Sequence, residues 1–168
     1  MKTAVKSGSG KEMPMDVYDK IKALGLEIPS PTSKGRIFAA AVKMGEKIYI
    51  TSGNNCKVNG KLPHPGRLGA EVDVEQGRQD ARQCILNILG NVQNEISDLN
   101  EIKQIVKILG FVASADDFYD QPRVLDAASE LLIDIFGSEA GRCARSAVGV
   151  NVLPNNQPVE IEMVFEVK

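Results

Sequence analysis

An arginine followed at alternate positions by small residues leaves room for an anion. Residues 145–154 alternate in character with period two, so Arg145, Ala147, Gly149 and Asn151 share one side of an extended strand. Ser146, Val148, Val150 and Val152 share the other side. A guanidinium with space beside it presents a bidentate fork to a carboxylate or phosphate. The competing reading is a solvated arginine paired with Glu162 or Glu166. Residues 159–167 alternate in the same way: Val159, Ile161, Met163, Phe165 and Val167 inward, and Glu160, Glu162 and Glu166 outward. As paired strands, the two runs put an arginine, small side chains and three carboxylates on one sheet face, which is either plain solvent surface or a polar site.

A hairpin turning near Asn155-Asn156 sets Arg145 across from Glu166 and Glu160 across from Asn151. That leaves Arg145 and Glu160 roughly 20 Å apart at ~3.3 Å per residue. They can approach if the polar face packs against another copy of the chain, and an oligomer with sites between subunits is the natural way to use such a face. A strand ending in Thr51-Ser52-Gly53 adds a second candidate, since backbone N–H groups and a hydroxyl there can hold a small anion; an ordinary turn is the alternative.

Other constellations carry less. Ser7-Gly-Ser-Gly-Lys11 lacks the first glycine, the Ser/Thr after lysine and the preceding strand of a phosphate loop. His64, between Pro63 and Pro65, is the sole histidine and reads as a surface loop residue with no imidazole partner for a metal and no nearby cysteine. Asp116, Asp117 and Asp120 lack the EF-hand spacing and read as an exposed acidic turn.

The elements that must position these residues follow from periodicity and caps. A short helix is predicted over residues 16–24, stopped by Gly25, and strands over 36–43 and 47–51 facing each other across Gly45-Glu46. Residues 56–69, rich in Gly, Pro and Lys, read as a loop or ragged hairpin. Asp73 and Gln76 have capping-box spacing before a helix reaching residue 96, with Ala81, Ile85, Ile88, Leu89 and Val92 as its buried stripe. A core strand is predicted over 102–113. A second long helix starts at Pro122, buries Val124, Leu125, Ala128, Leu131, Leu132 and Ile135, and stops at Gly137. This order predicts an α+β fold, a mixed sheet with two long helices on one face.

The 168 residues suffice for one core and not two, so a single domain over 15–168 is expected behind a flexible tail, residues 1–14. A formal net charge of −2 with no basic tract makes nucleic acid an improbable obligate partner. No apolar run approaches the roughly 18–20 residues needed to span a bilayer. Cys56, Cys84 and Cys143 are odd in number and spaced unlike a disulfide framework or zinc site, which suits a reducing cytoplasmic setting.

Ile48-Tyr-Ile-Thr-Ser-Gly53, Phe111-Val-Ala-Ser114 and Arg145-Ser-Ala-Val-Gly-Val150, with Leu153-Pro154 and Val159-Glu-Ile-Glu162, resemble the YjgF/RidA family, also called the endoribonuclease L-PSP family. The resemblance runs through residues 16–167. Within the family, Ala144-Arg-Ser-Ala-Val-Gly149, the opening helix and Asp120-Gln-Pro-Arg123 are similar to a longer subgroup of undefined role. The resemblance implies a chorismate-mutase-like fold and a homotrimer whose sheets form a central barrel, with ligand clefts between subunits. It also implies hydrolysis of enamine/imine intermediates to 2-keto acids and ammonia. On that mapping Arg145 grips the substrate carboxylate, Glu160 orients or activates water, and Ser52 and Gly53 line the cleft. Three positions depart from the deaminating members: Phe38 stands for a tyrosine, Ala147 for a cysteine and Asp126 for an asparagine. Asp126 adds a negative charge near an anionic substrate.

An imine is already electrophilic, so the protein needs only to hold the carboxylate and present water. No metal or organic cofactor is indicated. A non-catalytic sensor or binder of small carboxylates is the alternative, and an endoribonuclease the more distant one.

Overall fold

A computed structural model describes residues 16–31 and 37–168. The expected tail, the Ser7–Lys11 segment and Arg36 lie outside the described residues. Helix α1 is Val17–Ala23, capped by Asp16, whose carboxylate accepts from the Tyr18 amide at 2.7 Å. The first hairpin joins β1 (Ala41–Met44) to β2 (Ile48–Thr51), and a two-residue strand β3 (Asn54–Asn55) follows. β1 begins five residues later than the pattern predicted, so Phe38 precedes the strand and is not part of it.

Helix α2 is Val74–Ile96, and its capping box forms in both directions between Asp73 and Gln76. Strand β4 is Ile102–Ala113, and helix α3 is Gln121–Gly141, with Pro122 in its first turn. Gly137, at φ 84°, breaks α3 where the sequence put its stop. The chain closes with β5 (Ala144–Val150) and β6 (Val159–Val167). All of the predicted stripe residues of both long helices are buried, in one cluster with Ile105, Ile108, Val112 and the inward side of β6. The fold is therefore α+β with a mixed sheet and, among the described residues, three α-helices.

Sheet order is β1-β2-β6-β4-β5, with β3 also on β6. β5 runs parallel to β4, and β6 is antiparallel to β4 on its other edge. The predicted β5–β6 hairpin is thus wrong. α3 carries the chain back over the sheet, so β5 can only re-enter parallel to β4. β6 then takes the free edge of β4, the strand with the longest apolar run.

Register also corrects the polar-face reading. Arg145 pairs with Ile108 and Ala147 with Gly110, while Met163 faces Ile108 from β6, so Arg145 lies on the buried, helix side. Glu160 and Glu162 pair with Phe111 and Leu109 and lie on the opposite side. That open side is not chiefly polar: Val42, Met44, Ile50 and Val148 are 40–58% exposed there.

The segment after α1 crosses α2 so closely that a Cβ at Gly90 would overlap the Pro29 carbonyl oxygen. Backbone cannot yield as a flexible side chain can. Gly90→Ala is therefore expected to cost roughly 1–3 kcal/mol in urea unfolding, despite alanine's better helix propensity. An unchanged or higher midpoint would show that the strap moves off freely.

Candidate functional site

A polar stripe on α2 builds one half of the site. Asp80, Cys84, Asn87 and Asn91 follow one another at four-, three- and four-residue steps and are all buried. Asn87 Nδ2 donates to the carbonyls of Asn55 and Lys57 at 2.7 and 3.0 Å. Asn91 Nδ2 donates to Asn54 Oδ1 at 2.6 Å, and Asn54 Nδ2 to the Ser52 carbonyl at 2.7 Å. These bonds press residues 52–57 onto β6, where Asn55 pairs with Glu160. Gly53 then sits so near that a Cβ there would overlap Glu160 Oε1.

Glu160 accepts a short hydrogen bond from Gln157 Nε2, and Gln157 is itself buried. Burial raises the Glu160 proton affinity above the usual carboxylate range; the Gln157 bond opposes this and the charge of Glu162 adds to it. Ser52 is committed to structure. Its hydroxyl donates to the Ala39 carbonyl at 2.7 Å and its amide to the Ala40 carbonyl at 2.8 Å. The Ser52 donors expected to be free for an anion are therefore bonded to the backbone of residues 39 and 40, which follow the half-exposed Phe38. The hydroxyl oxygen retains its acceptor capacity.

The other half belongs to β5 and α3. Arg145 Nη1 donates to Asp126 Oδ1 at 2.9 Å and to Ser129 Oγ at 3.2 Å. Arg145 pairs with Asp126 rather than with Glu162 or Glu166, because it faces the helix. Side-chain exposures of 23% and 48% leave this ion pair open to a ligand. Ala147 packs half-buried against the core beside it.

The structure thus brings Ser52, Gly53 and Glu160 together and, separately, Arg145, Asp126 and Ala147. The halves are three residues and two strand spacings apart, about 14 Å between Cα atoms by strand geometry, on opposite sides of the sheet. Sequence reasoning missed Gln157, Ser129 and the amides of α2. The four-three-four spacing of Asp80, Cys84, Asn87 and Asn91 beside the apolar stripe was their available signal.

His64 is also not the plain surface residue expected. Its Nδ1 lies 3.1 and 3.2 Å from the two oxygens of Asp80, which is 1% exposed. Cys56 shares Asp80 as a hydrogen-bond partner and contacts Cys84, so a cysteine does lie in this network. Burial pushes Asp80 up to about 6, against the lowering effects of His64 and Cys56. The fully buried Cys84 thiol is pushed up as well, chiefly by desolvation.

Residues 19–167 match the family described as "YjgF/chorismate mutase-like, putative endoribonuclease". The chain belongs to that family. A Trypanosoma cruzi relative, protein TCP17, is 35% identical over 157 residues, covering 89% of this chain and 93% of the relative. Among solved structures, protein Atu1372 of unknown function from Agrobacterium tumefaciens is 33% identical, with TM-score 0.83 over 90% of this chain and 92% of that one. The Escherichia coli YjgF gene product is 27% identical, with TM-score 0.55 over 83% and 94% of the two chains. Among the described residues of this YjgF-family chain, no helix is long and apolar enough to cross a membrane, and no group of three or more His, Cys, Asp or Glu could hold a metal ion.

Asp80 generates a pH prediction. Its proton affinity is higher folded than unfolded, so the resulting stabilisation is complete below the unfolded value and disappears as pH rises through about 6. Asp80→Asn removes that titration. Between about pH 4.5 and pH 7.5 the wild type is expected to lose stability relative to the variant, on the order of 2–3 kcal/mol by urea midpoints. A pH-independent difference would mean that Asp80 ionises alike in both states.

Proposed function

We propose that this YjgF-family protein hydrolyses small 2-imino acids to 2-keto acids and ammonia, in a cleft that copies of the chain build together. The division of the site carries the reading. Arg145 with Asp126 and Ser129, and Glu160 with Gln157, Ser52 and Gly53, are each organised and part-exposed, yet stand on opposite sides of one sheet. The exposed apolar residues Val42, Met44, Ile50 and Val148 supply a reason for sheet faces to associate. In a homotrimer closed through those faces, Arg145 at the β5 edge would meet the partner-facing Glu160 of a neighbouring copy.

In that cleft the Arg145 fork holds the substrate carboxylate. Glu160, with its raised proton affinity, takes a proton from water as the oxygen attacks the imine carbon. It gives that proton to nitrogen, then accepts the remaining hydroxyl proton as the carbon–nitrogen bond breaks, the carbonyl forms and ammonia leaves to be protonated to ammonium. General-base help of this kind contributes about 10²–10⁴-fold. Gln157 fixes the carboxylate's orientation, and the close approach of Gly53 shields it from bulk water. Phe38 and Ala147 lack a hydroxyl and a thiol, so neither supplies a proton in this scheme.

A second reading, a non-catalytic binder of small carboxylates, draws on the same contacts: Asp126 already occupies Arg145 and Gln157 already occupies Glu160. An endoribonuclease finds less support, because the sole histidine has Nδ1 against Asp80 and the net charge is −2.

A coupled assay, in which an amino-acid oxidase generates imino acids in the presence of semicarbazide, tests the enzyme reading. Glu160→Gln is expected to retain ligand binding and lose about 10²-fold or more in acceleration, and Arg145→Ala to lose both. Equal acceleration by Glu160→Gln would remove its role; no acceleration by folded wild type would favour the binder. Sedimentation at the mass of a single chain would undo the shared cleft.

A further inference from the structure

We propose that Asp126 makes this site selective for ligands with a cationic nitrogen beside their carboxylate: 2-iminium acids as substrates and zwitterionic 2-amino acids as ligands, in preference to 2-keto acids. This rests on the reading of Arg145 as the carboxylate anchor. The observation is the ion pair itself. Arg145 donates from Nη1 to Asp126 Oδ1 at 2.9 Å, and Ser129 Oγ holds the same nitrogen at 3.2 Å. Among the described residues both bonds leave from Nη1, so the remaining guanidinium N–H groups are available to a ligand. Asp126 is engaged through Oδ1, and its side chain is 48% exposed, so its carboxylate has room for a second donor.

The charge of Arg145 is therefore already balanced before a ligand arrives. A 2-keto acid brings one negative charge into a neutral, part-buried pair. It must displace Asp126 or lie beside it, and either way two carboxylates share one guanidinium. A 2-iminium acid carries its cation on the carbon next to the carboxylate. Its carboxylate takes the open side of the fork and its N–H groups donate to Asp126, leaving the assembly neutral and every charge paired.

The same arrangement favours the protonated imine, the more electrophilic form, and hence attack by water. The reaction R–C(=NH2+)–COO− + H2O gives R–CO–COO− + NH4+. Water's oxygen replaces nitrogen on carbon, and the cation departs as ammonium. The keto acid left behind has lost the group that Asp126 recognises, so the site releases its product.

Calorimetry with 2-aminobutyrate, a zwitterion that cannot be hydrolysed, and 2-ketobutyrate separates the possibilities. Wild type is expected to bind the amino acid roughly tenfold or more tightly than the keto acid, and Asp126→Asn to erase or invert that ratio. Asp126→Ser, checked for fold by circular dichroism, should give the same shift if the amide variant is unstable. Arg145→Ala should lose both ligands. If Arg145→Ala loses both while the Asp126 variants leave the ratio unchanged, the selectivity assignment falls and the anchor stands. If wild type binds neither ligand, or Arg145→Ala binds both normally, the anchor falls and the selectivity with it.

Discussion

The side-chain amides of α2 are the constraint on which the candidate site depends. Two buried asparagines on one long helix satisfy backbone and side-chain groups of residues 52–57 that have few ladder partners of their own. β3 is only two residues long, too short to hold itself to the sheet. Buried polar groups that are fully bonded favour one arrangement strongly, because every alternative leaves a donor or acceptor unpaired. Here that arrangement seats Gly53 against Glu160. Among the described residues no buried side-chain N or O lacks a partner, which shows how completely the bonding is satisfied.

A second consequence follows from the placement of β4. As the strand between β6 and β5, it separates Arg145 from Glu160. Arg145 looks toward α3, and Glu160 looks the other way. One chain therefore carries two separate polar groups, Arg145 with Asp126 and Ser129, and Glu160 with Gln157. Such a division suits a site assembled between copies.

Buried Asp80, Cys56 and Cys84 form a further group with the part-exposed His64 beneath the loop that opens at Cys56. Its evident role is to pin that loop to α2, next to the amides that hold β3. A carboxylate that is 1% exposed is tolerated there because imidazole and thiol both reach it.

Much of the fold was legible in the sequence because the signals are local. The Asp73–Gln76 box, the helical stripes, Gly137 as a break and the limits of β4 all depend on residues within a few positions of one another. The family was legible too, since its motifs are short contiguous runs. Strand order was not. Period-two alternation tells which residues share a side of one strand, but not which strand lies next door or which side a helix will cover. On pattern alone, Val148 and Val150 look more inward than Arg145, Ala147 and Gly149. Tertiary packing chose the reverse: small residues let α3 approach, so that a Cβ at Gly149 would crowd Gln121, and the edge arginine finds Asp126 and Ser129 on that helix. The sequence by itself determined the elements, their caps and the residues able to do chemistry. Only the tertiary structure decided which of those residues meet, because that depends on contacts between segments far apart in the chain.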